Sequence, residues 1–326
     1  TVAMDTEAGT QYNVLHGYTS ELDSTLFYGN ITPVAKDRKL TVTINTYGED
    51  IEGVAYKIRS LEDKSLIENT EVSDYDNAGS SINVTFNIKN LLDTGKEYAL
   101  EVVLKTKKHE AVYYYTRIVY GVDYDLQKKL DFVMDFNACT FDDSRLKDIA
   151  GYLETSSSGD NTNYGKVNIN CSLSQVGWGD LDPYVESDIM PEVISVDDDV
   201  AILRLSYRVG AANDYSSSDT YTVSEYYRIR QTNSGFYLLN FEREMNQVFD
   251  ARNDLTSTAK INLGINSSTD VNCASDEKGI YTYFVNQGSL WCFNSSSQTF
   301  TRVFSFKGEE TDLSLIHISE PTRPLY

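Results

Sequence analysis

The sequence predicts a mainly β protein built from several domains, with a minor α+β part. Three observations lead to this fold class. The chain has 326 residues, more than one ordinary domain of roughly 100 to 200 residues. Its 24 tyrosines, together with abundant threonine, serine and asparagine, favour strands joined by polar turns. Short segments of alternating apolar and polar residues recur along most of the chain, whereas a helical period appears only after Gly121.

The alternating pattern of residues 27–120 predicts a β-sandwich, which follows a separate N-terminal segment, residues 1–26. Leu40, Val42 and Ile44 place apolar side chains on one face of a strand, with polar residues between them. Short half-buried strands joined by polar turns are typical of a sandwich of two sheets. The same alternation returns in three further segments, residues 82–89, 98–104 and 111–120.

The stretch from Phe86 to Val102, FNIKNLLDTGKEYALEV, resembles the corner between strands E and F of a fibronectin type III or related immunoglobulin-like domain. In such domains a leucine packs under the corner and a tyrosine opens the next strand. The resemblance assigns these places to Leu91 or Leu92 and to Tyr98. It implies an immunoglobulin-like sandwich, although the strand-B tryptophan of many fibronectin modules is absent.

Residues 121–255 predict an α+β module in which two short helices pack on an antiparallel sheet. Apolar residues at helical spacing predict one helix over 126–134 and a second over 146–153, the latter capped by Asp142 or Asp143. The strands of the sheet are predicted at residues 167–173, 200–209, 221–230 and 236–241.

Residues 256–312 contain short apolar strands separated by small polar turns, including one at Gln287 and Gly288. The succession of strand, small turn, Leu-Trp-x-Phe, polar turn and strand resembles one blade of a β-propeller, although a Trp-Asp dipeptide is absent. A propeller closes from several blades around a channel. The resemblance therefore implies that this chain contains only the start of a propeller.

The last residues, 313–326, are interpreted as an artefact and not as native protein sequence. The part from Leu313 to Arg323, LSLIHISEPTR, resembles residue for residue the translation of a common transposase-based sequencing adapter. We therefore exclude the segment from fold reasoning. We expect the genuine part of this sequence to end near Asp312, inside a longer protein. Because Thr1 is not an initiator methionine, we also expect that a signal peptide or membrane anchor is missing from the given sequence before Thr1.

Charge and apolar patterns exclude several partners. The chain has 49 acidic and 28 basic residues, a formal net charge of −21, which repels nucleic-acid phosphates and anionic lipid surfaces. No run of about 20 apolar residues exists, so we expect no membrane span in this chain. The cysteines form no Cys-x-x-Cys pair. Only Cys273 with Cys292 is a candidate disulfide, and free buried thiols are expected.

The sequence contains no motif for a cofactor, a nucleotide or a catalytic metal. The Gly-rich dinucleotide loop, the P-loop and His-Glu-x-x-His are all absent. His16 and His109 are far apart and lie in no nucleophile motif, so we interpret both as surface residues. We therefore expect no cofactor and no metal, and we assign no catalytic residue. Paired carboxylates are the chemistry that remains, because they suffice to cleave glycosidic bonds.

One loop, residues 177–188, is the strongest candidate for a ligand-binding surface. Trp178 and Tyr184 have flat apolar faces that suit stacking on a sugar or contact with a protein partner. Asp180 and Asp182 add carboxylate oxygens, but the spacing of a calcium loop is missing, which favours an ordinary solvated acidic loop. The alternative for the aromatic residues, which we favour, is that they plug the end of the sheet.

Glu225 shares a strand face with Val223 and Tyr227, an unusual place for a charge. A structural ion pair with an arginine is the simpler explanation, and a functional pocket is the alternative. The candidate partners are Arg204, Arg228, Arg230 and Arg243.

These observations predict an exported bacterial protein, secreted or anchored at the cell surface, that acts as a non-catalytic binding or scaffolding module. Its expected partners are a cell-wall glycan or another envelope protein. Two alternatives stay open: an accessory region of an extracellular carbohydrate-active enzyme, and a sensor ectodomain that regulates a membrane partner. A cleft with two carboxylates about 5 to 9 Å apart would favour the enzyme.

Overall fold

Strands dominate the described part of the chain, which is mainly β, as the sequence predicts. In the computed structural model they form several separate sheets, accompanied by short helices. The structure describes residues 1–75, 79–121, 124–212, 218–251, 256–257, 260–263, 272–286 and 288–305. The segment 313–326, which we interpret as a translated adapter, lies outside these residues.

Two sheets pack face to face and form the predicted sandwich. Their strands are β1 (Val2–Asp5), β2 (Gln11–Leu15), β3 (Ile31–Val34), β4 (Lys39–Asn45), β5 (Ile51–Ser60), β6 (Leu66–Val72), β7 (Ser81–Asn87), β8 (Glu97–Thr106) and β9 (Val112–Tyr120). One sheet has the order β2-β1-β4-β7 and the other β3-β9-β8-β5-β6. Val42 lies opposite Val84, and both are buried because alternate side chains face the second sheet. Phe86 stacks on Tyr56 of that sheet, with ring centroids 4.8 Å apart.

The first residues of the chain belong to the sandwich, which corrects the separate N-terminal segment expected for residues 1–26. β1 pairs with β4 and with β2, and the side chains of Val2 and Met4 are fully buried. The chain then crosses the outside of the second sheet, where Phe27 stacks on Tyr115 with a centroid distance of 4.4 Å. β1 shows no polar alternation because three of its four residues are buried, so the sequence pattern does not reveal it.

Tyr98 holds the turn between β7 and β8. Its ring is buried, and its hydroxyl oxygen accepts the backbone N–H of Asp93 at 2.8 Å. Of the two candidate corner residues, Leu92 is buried and Leu91 is 56% exposed, so Leu92 packs under the turn. The next core-facing side chains of β8 are buried, as predicted: Leu100, Val102 and Leu104.

The middle module packs a helix on an antiparallel sheet. Its elements are α1 (Leu126–Thr140), β10 (Lys166–Asn168), α2 (Leu173–Val176), β11 (Tyr184–Val185), β12 (Met190–Val196), β13 (Val200–Ala212), β14 (Ser218–Thr232) and β15 (Gly235–Gln247). The strand order is β10-β15-β14-β13-β11, and β12 also pairs with β13. The first predicted helix is confirmed as α1. No helix in the described part of the chain combines the length and the apolar character that a membrane crossing requires.

The second predicted helix is a 3₁₀-helix over Leu146–Tyr152, and its capping differs from the prediction. The Asp142 carboxylate accepts the backbone N–H of Ser144 at 2.9 Å, within the turn that precedes the helix. Arg145 occupies the capping position and makes no capping hydrogen bond with its side chain. Asp142 therefore stabilises the turn between the two helices and not the helix end.

A buried asparagine joins the sandwich to the middle module. Asn13 lies at a bulge in β2 with φ of 49°, a left-handed conformation that directs its side chain inward. Its Nδ2 donates to the carbonyl oxygen of Ile31 at 2.9 Å and to the Thr32 hydroxyl at 3.0 Å. Its Oδ1 accepts the backbone N–H of Val193 in β12 at 2.7 Å. One side chain thus connects β2, β3 and β12.

Replacing Asn13 with glycine is expected to lower the free energy of unfolding by about 1–3 kcal/mol, because the Val193 N–H loses its buried acceptor. Glycine tolerates the positive φ, so the change adds no backbone strain. Urea unfolding followed by circular dichroism measures the effect. Lys64→Gly is the matched control, since Lys64 has φ of 60° but is exposed. Equal stability of Asn13→Gly and the unsubstituted chain would contradict the prediction.

A further sheet follows the middle module. Its strands pair in chain order: β18 (Cys273–Ser275), β19 (Tyr281–Asn286), β20 (Ser289–Asn294) and β21 (Thr299–Ser305), preceded by the short pair β16 (Thr256–Ser257) and β17 (Lys260–Ile261). On one face, the Phe249 ring contacts Phe284, Trp291 and Phe300, with centroids 4.9 to 5.6 Å apart. Gln287, part of the predicted turn, lies outside the described residues. Large apolar side chains elsewhere in this sheet are exposed: Tyr281, Tyr283, Val285, Val303 and Phe304.

Candidate functional site

The loop predicted as a ligand-binding surface has a buried part and an exposed part. Trp178 is only 1% exposed, and its indole N–H donates to the Thr140 hydroxyl of α1 at 3.3 Å. Trp178 is therefore buried, in agreement with a packing role, and its ring is not presented to a ligand. Asp180 and Asp182 are exposed, as expected of a solvated acidic loop.

Tyr184 lies at the surface, away from the buried environment of Trp178. It is 52% exposed and sits in the edge strand β11, opposite Gly210 of β13. A Cβ atom on Gly210 would come within 2.4 Å of the Tyr184 ring, so the glycine permits the ring to pack over the strand. Tyr184 and Trp178 therefore do not form one aromatic patch, which corrects the paired surface considered from the sequence.

Glu225 is fully buried at the centre of a polar network between α1 and the sheet. Its carboxylate accepts hydrogen bonds from Asn137 Nδ2 at 2.8 Å, from the Tyr227 hydroxyl at 2.7 Å and from the Tyr207 hydroxyl at 3.1 Å. Burial, reinforced by the nearby Glu225 charge, raises the pKa of both tyrosines well above the ordinary value. Both hydroxyls therefore stay protonated and remain donors.

Arg243 is the arginine that compensates Glu225. It lies opposite Glu225 on β15 and is fully buried, with Nη1 at 3.9 Å from a Glu225 carboxylate oxygen. Its direct hydrogen bonds go to the carbonyl oxygens of Val176 at 2.8 Å and Gln175 at 3.0 Å, at the end of α2. Its guanidinium also lies 3.4 Å from the centre of the Trp178 ring. The structural ion-pair interpretation of Glu225 is thus confirmed.

Burial affects the ionisation of Arg243. Desolvation lowers the pKa of its guanidinium, and the Glu225 carboxylate opposes this effect. A guanidinium nevertheless keeps its charge in proteins. The network therefore places a permanent positive charge between Trp178, the end of α2 and Glu225, and each of these groups orients it.

The cysteines lie in different parts of the fold and are free. Cys139 and Cys171 are buried, as predicted for structural thiols. Cys273 is exposed and Cys292 is half-buried, so the expected burial is wrong for this pair. They lie on β18 and β20 with β19 between them, and they form no disulfide. Among the described residues, no group of three or more His, Cys, Asp or Glu side chains could hold a metal ion.

The histidines of the described residues lie at different places in the sandwich. His109 is exposed in the turn between β8 and β9, as predicted. His16 is half-buried just after β2, so the surface interpretation is wrong for this residue.

A cleft of about 620 Å³ lies where the β1–β2 turn faces the start of α1. Burial raises the pKa of the Asp5 carboxyl, partly offset by a hydrogen bond from the Thr43 hydroxyl at 2.8 Å. A hydrogen bond from Lys128 lowers the pKa of Asp125 across the cleft. The environments of Asp5 and Asp125 therefore shift their pKa values in opposite directions within one cleft. The ionisable residues that line it are Asp5, Glu7, Asp37, Lys39, Asp125 and Lys128.

No protein-family model matches this chain, and no curated protein matches it either. Its function therefore has to be inferred from the residues themselves.

Proposed function

We propose that this chain is a non-catalytic binding or scaffolding module of an exported cell-envelope protein. The observation that carries the proposal is the position of its most unusual ionisable groups. Glu225 and Arg243 are fully buried and hold α1, α2 and the sheet together. A catalytic acid or base has to reach the proton that it transfers. These two groups contact other parts of the protein and not solvent.

The rigid connection between the sandwich and the middle module supports a scaffolding role. Asn13 links three strands across the junction, and Gln127 of α1 hydrogen-bonds to the hydroxyls of Thr6 and Thr10 in the sandwich at 2.5 and 2.9 Å. Buried polar contacts of this kind favour one relative orientation over others. A protein that presents two surfaces at a fixed separation requires such a junction.

We assign the sandwich to the immunoglobulin-like type and the last sheet to the first blade of a propeller. The hydrogen bond from the Asp93 N–H to the Tyr98 hydroxyl is the arrangement of a tyrosine corner. The last sheet pairs its strands in chain order and packs apolar side chains around Phe249, while Tyr283 and Phe304 are exposed. Such a composition suits a blade that packs between neighbouring blades.

The partners we propose are a cell-wall glycan and another envelope protein. The edge strand β11 carries the exposed Tyr184, and Asp180 and Asp182 lie exposed in the same loop, so this surface offers an aromatic ring and carboxylates to a protein partner. The net charge of −21 disfavours nucleic acid. The proposed exported, cell-surface localisation rests on the proposed sandwich type, an architecture that many cell-surface domains share.

Incubating the chain with cell-wall and plant glycans is expected to give retention of a glycan without release of reducing ends, because the buried acidic network has no access to substrate. Retention is measured by affinity electrophoresis, and new reducing ends by a colorimetric assay. Release of reducing ends that is abolished by replacing a single Asp or Glu would contradict the proposal.

A second candidate function, an accessory or catalytic region of a carbohydrate-active enzyme, is favoured by the cleft at the junction. Asp5 and Asp125 line this cleft and have pKa values displaced in opposite directions. Glycosidases use one protonated and one ionised carboxyl group. In the same assay this candidate requires reducing-end release that Asp5→Asn abolishes and that Asp180→Asn, an exposed loop substitution, leaves unchanged.

A further inference from the structure

A second cleft, of about 650 Å³, opens at one end of the sandwich. Three segments surround it: the chain after β2, the turn between β4 and β5, and the turn between β8 and β9. Loops at the end of a sandwich are common positions for binding sites, because the sheets hold them in place. The residues that determine its chemistry are Tyr47, Tyr114, Val112, Thr19, Asn45 and Thr106.

The wall formed by the chain after β2 is fixed against β9. Tyr18 and Tyr113 exchange backbone hydrogen bonds of 2.8 and 2.9 Å. The preceding residue is Gly17, where an added Cβ atom would lie 2.5 Å from Val112 Cγ1 and 3.0 Å from Tyr114 Cζ. Glycine therefore allows the chain to approach β9 closely, and the approach shapes this side of the cleft.

The opposite wall is the β4–β5 turn, which presents Tyr47. This residue has φ of 51° and is 50% exposed. Its backbone N–H donates to Asn45 Oδ1 at 3.1 Å, which holds the turn. Glu49 of the same turn forms an ion pair with Lys108 of the β8–β9 turn. The β4–β5 turn, which contains Tyr47, is thus connected to the β8–β9 turn before any ligand binds.

The lining of the cleft is close to neutral, unlike the chain as a whole. Glu49 and Lys108, which both line the cleft, form an ion pair and compensate each other. The chain nevertheless has a net charge of −21. Because Lys108 is already paired with Glu49, the cleft disfavours a phosphate or a uronic acid as its ligand.

Hydroxyl and amide groups line the cleft beside its aromatic and aliphatic surfaces. Thr106 Oγ1 accepts the His109 N–H at 3.1 Å, so its own O–H is directed elsewhere as a donor. Burial raises the pKa of Tyr114 to about 12, so its hydroxyl stays protonated. Thr19 and Asn45 are exposed and add further donors and acceptors. Such a combination matches a molecule with many hydroxyl groups and an apolar C–H face.

We propose that the cleft at this end of the sandwich binds an uncharged oligosaccharide, with one sugar ring stacked on Tyr47. Thr19, Asn45 and Thr106 hydrogen-bond to the sugar hydroxyls, and Val112 contacts the apolar sugar face. This inference rests on the proposed binding function and deepens it, because it names both the site and the ligand class.

The test is titration of the whole chain with uncharged cello-, manno- and chito-tetraoses and with anionic tetragalacturonate, by isothermal calorimetry. At least one uncharged tetraose is expected to bind, and tetragalacturonate is expected to bind more weakly. Tyr47→Ala should weaken binding about tenfold or more, because the stacking ring is lost, whereas Tyr47→Phe should retain most of the affinity because the ring remains. Tyr237→Ala is the matched control, since Tyr237 of β15 is 54% exposed and lies outside the cleft.

Thermal unfolding should be the same for Tyr47→Ala and the unsubstituted chain, because the ring is half exposed. Unchanged affinity in Tyr47→Ala, or an equal loss of affinity in Tyr237→Ala, would overturn the cleft as the site while leaving a binding function in place. Failure of every uncharged tetraose to bind would also overturn the inference. The proposed non-catalytic function fails on a different result, the release of reducing ends, so the two failures are distinguishable.

Discussion

Replacing Arg243 with methionine is expected to lower the free energy of unfolding by about 3–5 kcal/mol, the usual cost of removing one partner of a buried ion pair. Glu225 then keeps a buried charge without compensation. The carbonyl oxygens of Gln175 and Val176 lose their donors, and the Trp178 ring loses the guanidinium that lies 3.4 Å from its centre. Methionine fills a similar volume, so the loss reports the polar contacts more than a cavity.

Urea unfolding followed by Trp178 fluorescence measures this effect, in a Trp291→Phe background that removes the other tryptophan. Arg204→Met is the matched control, because Arg204 forms an exposed ion pair with Glu192 at 3.3 Å and such pairs contribute about 0–1 kcal/mol. The double variant Glu225→Gln/Arg243→Met should lose less stability than the sum of the single variants, since it leaves no buried charge. A loss below about 1 kcal/mol in Arg243→Met would contradict the structural role of the pair.

Replacing Tyr98 with alanine is expected to destabilise the sandwich by about 3–5 kcal/mol, because the substitution removes a buried aromatic ring. The ring is 3% exposed at the start of β8. Tyr98→Phe retains the ring and removes only the acceptor of the Asp93 N–H, which should lower stability by about 1 kcal/mol. The difference between the two variants separates packing from the corner hydrogen bond.

Circular dichroism during urea unfolding gives both free energies. Leu91→Ala is the control at the same corner, because Leu91 is 56% exposed and its truncation should change stability by no more than about 0.5 kcal/mol. Leu92→Ala should cost about 2–5 kcal/mol, because Leu92 is buried beneath the turn. Equal effects of the two leucine substitutions would show that the corner is packed differently.

Residue periodicity accounts for most of the fold that the sequence predicts. The alternation around Val42 and Val84 and the helical spacing after Leu126 correspond to β4, β7 and α1. Periodicity is a local property, because a strand or helix with one face toward the core repeats apolar residues at its own period. The same reasoning places Tyr98 at the start of a strand, where the structure has it.

Local pattern is not sufficient where both faces of an element are covered. In β1 three consecutive side chains are buried, on both faces of the strand, so its sequence lacks alternation. Trp178 belongs to a loop with exposed acidic residues, yet it is buried. Its ring packs against Arg243 of β15, and its indole N–H donates to Thr140 of α1. No spacing within the loop contains that information.

What the sequence by itself determined is the fold class, the position of most strands and of α1, and the need of Glu225 for a positive partner. Only the tertiary structure decided that Arg243 is that partner, that residues 2–15 belong to the sandwich, and that Asn13 joins two modules. It also brought Tyr47 and Thr106, far apart in the chain, into one cleft. The physical reason is that secondary structure follows from the period of neighbouring residues, whereas a site is assembled by contacts between distant segments that only the packed sheets bring together.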